Sequence, residues 1–242
     1  MFGKVKHLAL VFMVIKVNKN KKAVVLLSGG LDSSTVLYYA IKKGYECSCL
    51  FFDYAQRHKK EVKSAKQLAK SAGLKLQIVN ISLPWTKSSL INKEQKIPVK
   101  NNFKKQSGAP TQFRQLPSTY VPGRNTIFIS FAQSLAESIG AQKIFIGANA
   151  VDYSGYPDCR PKYYKALNCV LKEIGAGIKI EVPLINLNKT QIIKLGQKLG
   201  VPFEKTWSCY KGEAKPCGVC DSCRFRAAGF SNAGAIDPVG NQ

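Results

Sequence analysis

A doubly wound α/β fold on a mainly parallel five-stranded sheet, followed by a small Cys-rich module, is predicted by three features of this sequence. Short runs of branched apolar residues alternate with amphipathic stretches of helical length. The links between them are short, as in strand–helix–strand crossovers that cover a sheet on both faces. The first apolar run ends in a Ser-Gly-Gly turn that leads straight into a helical stretch.

The elements follow in order. Ala23 to Leu27 (AVVLL) reads as a buried parallel strand. A helix from about Ser33 to Lys43 carries Leu37, Tyr38 and Ile41 on one side, and Gly44 stops it. Glu46 to Phe52 is the second strand, Lys59 to Ala72 the second helix and Leu76 to Val79 the third strand. The pattern resumes with a helix from Thr126 to Ile139 and a strand from Lys143 to Ile146. A helix from Tyr163 to Ile174, a strand from Ile178 to Val182 and a helix from Lys189 to Leu199 complete it.

Two stretches fall outside the pattern. Pro84 to Pro117 has no clean period and holds six Lys and one Arg against one Glu. It reads as a mobile basic insert near the site, because loops of that length carry function or disorder. Trp207 to Gln242 is rich in Cys, Gly and Pro. The expected organisation is an N-terminal extension over 1–20, a main domain over 21–206 that includes the insert at 84–117, and a C-terminal module over 207–242.

The chain of 242 residues is 45% hydrophobic and 21% charged, which excludes collagen, coiled coil and wholesale disorder. It is long enough to bury a core without disulfide staples. Its net charge of +23 would attract anionic partners, yet Lys supplies 31 of the 37 basic residues and they are scattered. Nucleic-acid recognition leans on Arg, so the charge reads as general basic bias. Leu8 to Ile15 is an apolar run of eight residues, too short to span a membrane and followed by no small-residue cleavage site. A cytoplasmic location is the expectation.

The strongest motif is Ser28-Gly29-Gly30-Leu31-Asp32-Ser33-Ser34. Two glycines let the backbone turn sharply and approach an anion. Hydroxyls and backbone N–H groups then meet a helix start, where the dipole favours phosphate. Asp32 cannot welcome phosphate itself; it would hold Mg²⁺ or orient the loop. The motif is neither the G-x-G-x-x-G dinucleotide fingerprint nor a Walker A loop.

Cys209, Cys217, Cys220 and Cys223 form C-x₇-C-x₂-C-x₂-C. Four thiolates at that spacing complete a tetrahedral structural zinc site; an iron–sulfur cluster is the competing reading. Arg224 and Arg226 could offset its charge. Cys47 and Cys49 read as buried small hydrophobes, and Cys159, in a polar loop, as a passive residue that could line the site. Asp53, Gln56, Arg57 and His58 follow the second strand, where α/β sheets gather their sites. Arg124, after Val121-Pro122-Gly123, could reach a phosphate or carboxylate. Gly147 to Pro161 (GANAVDYSGYPDCRP) is a polar loop at a strand end, suited to a heterocycle.

The Ser-Gly-Gly-Leu-Asp-Ser loop resembles the pyrophosphate loop of the N-type ATP pyrophosphatases, whose fold is Rossmann-like (adenine nucleotide alpha hydrolase-like). Five blocks together, VVLLSGGLDSS, FDYAQRH, VPGRNTIF, FIGANAVDYSGYPDCRP and TWSCYKGEAKPCGVCDSC, resemble the 7-cyano-7-deazaguanine (preQ0) synthase family over about residues 23–226. The DYSGYPDCRP block is the discriminating one. Residues 1–20 precede the usual family start. Gly123 stands where Ala is commoner, a small-for-small change expected to leave function intact.

The resemblance implies a ligase that converts 7-carboxy-7-deazaguanine, ammonia and ATP to the 7-nitrile through adenylated and amide intermediates, in queuosine biosynthesis. It implies ATP contacts at Leu27, Ser28, Gly29, Gly30, Leu31, Asp32, Ser33 and Ser34, with Asp32 positioning Mg²⁺. Arg57 and Arg124 would stabilise phosphate charge. Asp152, Tyr153, Asp158 and Arg160 would contact the substrate, with Asp152 or Asp158 on its guanine-like face. One structural zinc per subunit, a homodimer, and no membrane or obligatory nucleic-acid partner complete the expectation. The rival readings are a tRNA-thiolating or other tRNA-modifying relative, and a non-enzymatic basic zinc-containing nucleic-acid adaptor.

Overall fold

A computed structural model describes residues 21–56, 60–92, 94–97, 116–151, 156–212 and 214–240. The order is β1 (Lys22–Leu26), α1 (Leu31–Lys42), β2 (Glu46–Asp53), α2 (Lys60–Ser71) and β3 (Leu76–Asn80). Then come α3 (Arg124–Ile139), β4 (Lys143–Phe145), α4 (Pro161–Glu173), β5 (Lys179–Glu181), α5 (Lys189–Leu199) and α6 (Asp221–Asn232). Short 3₁₀ turns sit at Pro157–Cys159 and Phe203–Lys205. The N-terminal extension lies outside the described residues.

The sheet order is β3-β2-β1-β4-β5 and every pairing is parallel. The chain winds outward from β1 to β3, then returns to the other side through β4. The crevice between β1 and β4 is therefore the topological switch point, where ligands of such sheets bind. Alternation along β1 builds the core on both faces. Ala23, Val25 and Leu27 join Leu37, Phe51, Phe145, Ile192 and Phe203 on one side. Val24 and Leu26 join Leu50, Ile129, Ile144 and Leu171 on the other. Each of these Val, Leu, Ile and Phe side chains, when fully buried, contributes roughly 1.5–3 kcal/mol.

The predicted helices and strands are all present, with ends shifted by one or two residues. α1 opens at Leu31 rather than Ser33, because its first turn is the helical half of the glycine loop. α4 opens at Pro161, where a fixed φ suits a first helical position. α5 is closed by a reciprocal cap, Asn188 accepting from Gln191 N while the Gln191 side chain accepts from Asn188 N.

Two departures are informative. The insert is not loose throughout: Ser88, Ser89, Leu90 and Ile97 are buried, with Ser89 N bonded to Ser118 O at 2.8 Å. Serine-mediated turns satisfy this backbone without any helical or strand period. Residues 98–115 lie outside the described part. The tail contains α6, which packs on α5. Its buried face is Cys223, Arg226, Gly229 and Phe230, a spacing that an Arg and a Gly disguise. Among the described residues, no helix is long and apolar enough to cross a membrane.

Candidate functional site

A cavity of about 340 Å³ opens at the switch point. Its floor is the C-terminal ends of β1, β2 and β4, represented by Leu26, Phe51 and Ile146.

The glycine loop forms one wall. Gly29 adopts φ +83°, and a Cβ there would lie 2.5 Å from Glu61 O and 2.8 Å from Ala65 N. Only glycine permits the first turns of α2 to pack this closely on the loop. Hydroxyls stitch the turn together. Ser28 Oγ lies 3.0 Å from Ser33 Oγ, and Ser34 Oγ donates to Gly30 O at 2.6 Å. Among the described residues, no side chain caps the first turn of α1. Its leading N–H groups and the positive end of its dipole therefore face the cavity as an anion seat.

Asp32, in that first turn, receives both of its close contacts from Lys189 Nζ, at 2.7 and 2.8 Å. Lys189 is the first residue of α5, and its stem lies against Gly229 of α6, where a Cβ would sit 2.6 Å from Lys189 Cγ. Ser28, Gly30, Leu31, Asp32 and Ser33 all line the cavity, as do Leu27 and Lys189. Gly29 and Ser34 do not: Gly29 supports the loop from behind, and Ser34 is fully buried.

The opposite wall comes from the segment after β2 and from α3. Ala55 has φ +61°, a left-handed conformation unusual for a side-chain-bearing residue. The reversal is held by Asp53 Oδ1 accepting from Ala55 N at 3.1 Å and by Gln56 Oε1 accepting from Tyr54 N at 2.9 Å. It aims Tyr54 and Gln56 into the cavity beside Glu61 of α2. Gly123, at φ +66°, sets the start of α3 and hence Arg124. Arg124 donates to Tyr54 Oη at 3.4 Å. Burial works against its charge, but Tyr54, Tyr156 and Asp158 hold it firmly protonated. Burial pushes the Glu61 carboxyl up to about 7, against the pull of Arg124 and a hydrogen bond from Gln56.

The loop after β4 contributes Gly147, Ala148, Asn149, Tyr156 and Cys159 to the lining. Tyr156 Oη pairs with Thr119 Oγ1 at 2.5 Å. Asp158 is buried behind this wall. Among the described residues its Oδ1 has no hydrogen-bond partner, and burial raises its pKa despite Arg124. Arg160 is exposed at the start of α4 and does not line the cavity. Arg57, His58, Asp152 and Tyr153 lie outside the described residues.

The sulfurs of Cys209, Cys217, Cys220 and Cys223 lie within 4.8 Å of one another, and none of the eight cysteines is in a disulfide. A tetrahedral zinc with bonds of about 2.3 Å needs ligand sulfurs about 3.8 Å apart, so the set can close on one ion. Backbone N–H groups of Cys217 and Cys220 point at Cys209 Sγ and Cys217 Sγ, at 3.3 and 3.4 Å. Hydrogen bonds from Cys220 and Cys223 lower the pKa of the Cys209 thiol, the direction a thiolate ligand needs. Arg226 does not serve the sulfurs as expected. Its guanidinium is taken by Asp237 at 2.8 Å on each of two nitrogens, and by Thr206 Oγ1 at 2.7 Å.

This cluster is tied to the cavity. Trp207 N donates to Gly29 O at 2.9 Å, and Trp207 Nε1 donates to Cys209 O at 3.0 Å. Trp207 and Tyr210 line the cavity, and Lys60 Nζ lies 4.2 Å above the Trp207 ring. Sequence reasoning missed Lys189, Glu61, Tyr54, Trp207 and Tyr210 as lining residues. Lys189 follows a helix cap, Asn188, but nothing local distinguishes it from any other lysine in that position.

Comparison with known proteins places this arrangement. The family model "Queuosine biosynthesis protein QueC" matches residues 22–234. The 7-cyano-7-deazaguanine synthase of Thermoplasma acidophilum is 53% identical over 226 residues, covering 91% of this chain and 92% of that protein. The enzyme of the same name from Nostoc punctiforme is 51% identical, covering 90% and 98%. Among solved structures, NMN synthetase from Francisella tularensis matches with a TM-score of 0.50 at 18% identity, over 90% of this chain and 78% of that one, a likeness of fold. With the uncapped glycine loop, the cavity at the switch point and a family match spanning both, this chain belongs to the QueC family of queuosine biosynthesis proteins.

Proposed function

We infer that this chain is a 7-cyano-7-deazaguanine synthase, an ATP-dependent ligase that converts 7-carboxy-7-deazaguanine and ammonia to the nitrile preQ0. The observation that carries the reading is an anion-seating helix start opening on the same cavity as the loop after β4, within a chain 53% identical to a synthase of that name. A carboxylate resists amidation because oxide is a poor leaving group. Transfer of AMP from ATP to the carboxylate oxygen makes that oxygen part of a phosphate leaving group. Ammonia then gives the amide, and a second adenylation, on the amide oxygen, allows its loss and yields the nitrile.

The uncapped N–H groups at the start of α1, with Ser28 and Ser33, would seat the leaving pyrophosphate. Lys189 and Arg124 reach the same space with positive charge, and Arg57 is kept as a candidate for the same task. Asp32 is the carboxylate that would hold the Mg²⁺ carried with ATP. Substrate recognition is assigned to the loop after β4. Asp152, Tyr153, Asp158 and Arg160 stay candidates, with Asp158 behind the cavity wall and Arg160 outside the lining.

Cys209, Cys217, Cys220 and Cys223 would hold one zinc per subunit, where it supplies a structural crosslink and no open position. The same reading takes 21–206 as the catalytic domain and 207–242 as its metal-pinned module. It takes the protein as a cytoplasmic homodimer with small-molecule substrates and no obligatory nucleic acid or membrane partner.

The test is to incubate zinc-replete protein with ATP, Mg²⁺, ammonium and 7-carboxy-7-deazaguanine, and to identify products by mass spectrometry. The nitrile with AMP and pyrophosphate is expected. No adenylated, amide or nitrile product, together with tight salt-sensitive binding of unmodified tRNA, would overturn it in favour of a tRNA-modifying relative.

A further inference from the structure

Among the described residues, two carboxylates line the cavity, Asp32 and Glu61. They stand in opposite situations. Asp32 is held by Lys189 Nζ through both oxygens, at 2.7 and 2.8 Å. Glu61 projects from the first turn of α2 across from the glycine loop, against which its own backbone is packed. The side chain of Gln56 steadies it by a hydrogen bond. Gln56 is itself fixed, accepting from Tyr54 N at 2.9 Å and donating to Phe52 O at 3.3 Å.

The reaction read above, on which this step rests, poses a charge problem for its nucleophile. Ammonium, like the lysine ammonium with a pKa of about 10.4, is protonated at neutral pH and has no lone pair to attack with. The protein carries a net +23, and Lys189 and Arg124 both reach the cavity. A small cation needs a negative group at the point of reaction, and that group must then take a proton.

We propose that Glu61 binds ammonium in the cavity and accepts its proton, so that ammonia is released beside the adenylated carboxyl. In the step, one N–H bond of ammonium breaks and its proton passes to a Glu61 carboxylate oxygen. The electron pair left on nitrogen forms the new C–N bond. The bond from the acyl carbon to the AMP oxygen breaks, and AMP leaves with that pair. The surplus proton on the new nitrogen passes to solvent, and Glu61 is reset in the same way. No oxidant, reductant or further reactant is required.

The surroundings suit this role. The charged and titratable groups facing Glu61 are Arg124 from α3, Tyr54 after β2 and Tyr210 from the tail. Burial raises the Glu61 carboxyl to about 7, and Arg124 and Gln56 limit the rise. A base poised near the working pH combines a useful ionised fraction with real affinity for a proton.

The experiment compares wild type, Glu61→Gln and Glu61→Asp, with ammonium or hydroxylamine as nucleophile. Hydroxylamine is already neutral near pH 7 and needs no base. ATP–pyrophosphate exchange dependent on the deazaguanine carboxylate reports adenylation and folding together. The expected result for E61Q is retained exchange, a loss of about 100-fold or more in ammonium-dependent kcat/KM, and hydroxylamine-dependent turnover within a few-fold of wild type. The wild-type profile of ammonium kcat/KM should carry an inflection near pH 7 that is absent in E61Q, which keeps only the steady rise with the free-ammonia fraction, and E61D should recover part of the rate. Equal loss with both nucleophiles, or a raised KM for the carboxylate substrate alone, would overturn the proposal and make Glu61 a substrate contact. Full ammonium-dependent activity in E61Q would also overturn it. Absence of exchange and product in wild type would instead defeat the underlying assignment of function, so the two failures are distinguishable.

Discussion

Lys189 and Asp32 are joined by a two-pronged ion pair across 157 positions of sequence, at 2.7 and 2.8 Å. The pair fastens the first residue of α5 to the first turn of α1, at the mouth of the anion seat. It fixes the direction of the Asp32 carboxylate and brings a cation to the place where pyrophosphate charge would develop. Lys189→Met keeps the stem that packs against Gly229 and removes only the charge. Adenylation measured by ATP–pyrophosphate exchange should fall about 100-fold. Stability should fall by about 1–2 kcal/mol, because the pair is only partly shielded from water. Unchanged exchange would mean that Lys189 is solely a structural tie.

Gly29 and Gly73 offer a matched test of the loop. Both have positive φ, +83° and +69°. A Cβ at Gly73 meets nothing within 4 Å, whereas one at Gly29 collides with backbone of α2 at 2.5 and 2.8 Å. Gly73→Ala should therefore cost only the left-handed penalty, about 1–2 kcal/mol. Gly29→Ala should cost about 3 kcal/mol or more, since α2 must move as well, and should abolish ATP binding. Denaturant melts of the two variants, with nucleotide titrations, check both halves.

What the sequence revealed and what it hid divide by range. The glycine loop, the sheet and the Cys spacing are local patterns, and each was readable from consecutive residues. Lys189 was not, because a lysine after a helix cap looks like any other until the fold brings Asp32 to it. Glu61 resembled an ordinary first-turn acid, worth a few tenths of a kcal/mol to a helix. Its significance comes from Gly29 drawing α2 onto the loop. The helix α6 was masked for a different reason. Its core positions include Arg226, which is buried because Asp237 and Thr206 satisfy it.

Trp207 makes the Cys cluster report on the cavity. It bonds Gly29 O through its backbone and Cys209 O through its indole, while the other tryptophan, Trp85, is 68% exposed. Cys220→Ser, or treatment with a strong chelator, should loosen the segment from Trp207 to Cys223. Tryptophan emission should shift to the red, and stability should fall by several kcal/mol. ATP affinity should fall too, through the lost Trp207–Gly29 bond. A chelated protein with unchanged emission and ATP affinity would show that the thiols hold no structural metal.

Glu61 also predicts a pH dependence of stability whose sign differs from that of an ion-paired carboxylate. Its folded pKa is raised to about 7 from 4.5, with burial as the leading cause. Between those values the folded protein holds more protons than the unfolded chain. Stability therefore falls as pH rises through that window, and the contribution present below about 4.5 is gone above about 7. Glu61→Gln removes the titration and keeps an uncharged side chain of the same shape. Against wild type it should be more stable by about 1–3 kcal/mol at pH 8, with the difference shrinking toward pH 5. Urea melts of both proteins across pH 5–8 read this directly. Glu61→Gln less stable than wild type, by an amount that stays flat across pH 5–8, would mean that Arg124 dominates over burial and holds Glu61 as a conventional ion-paired carboxylate.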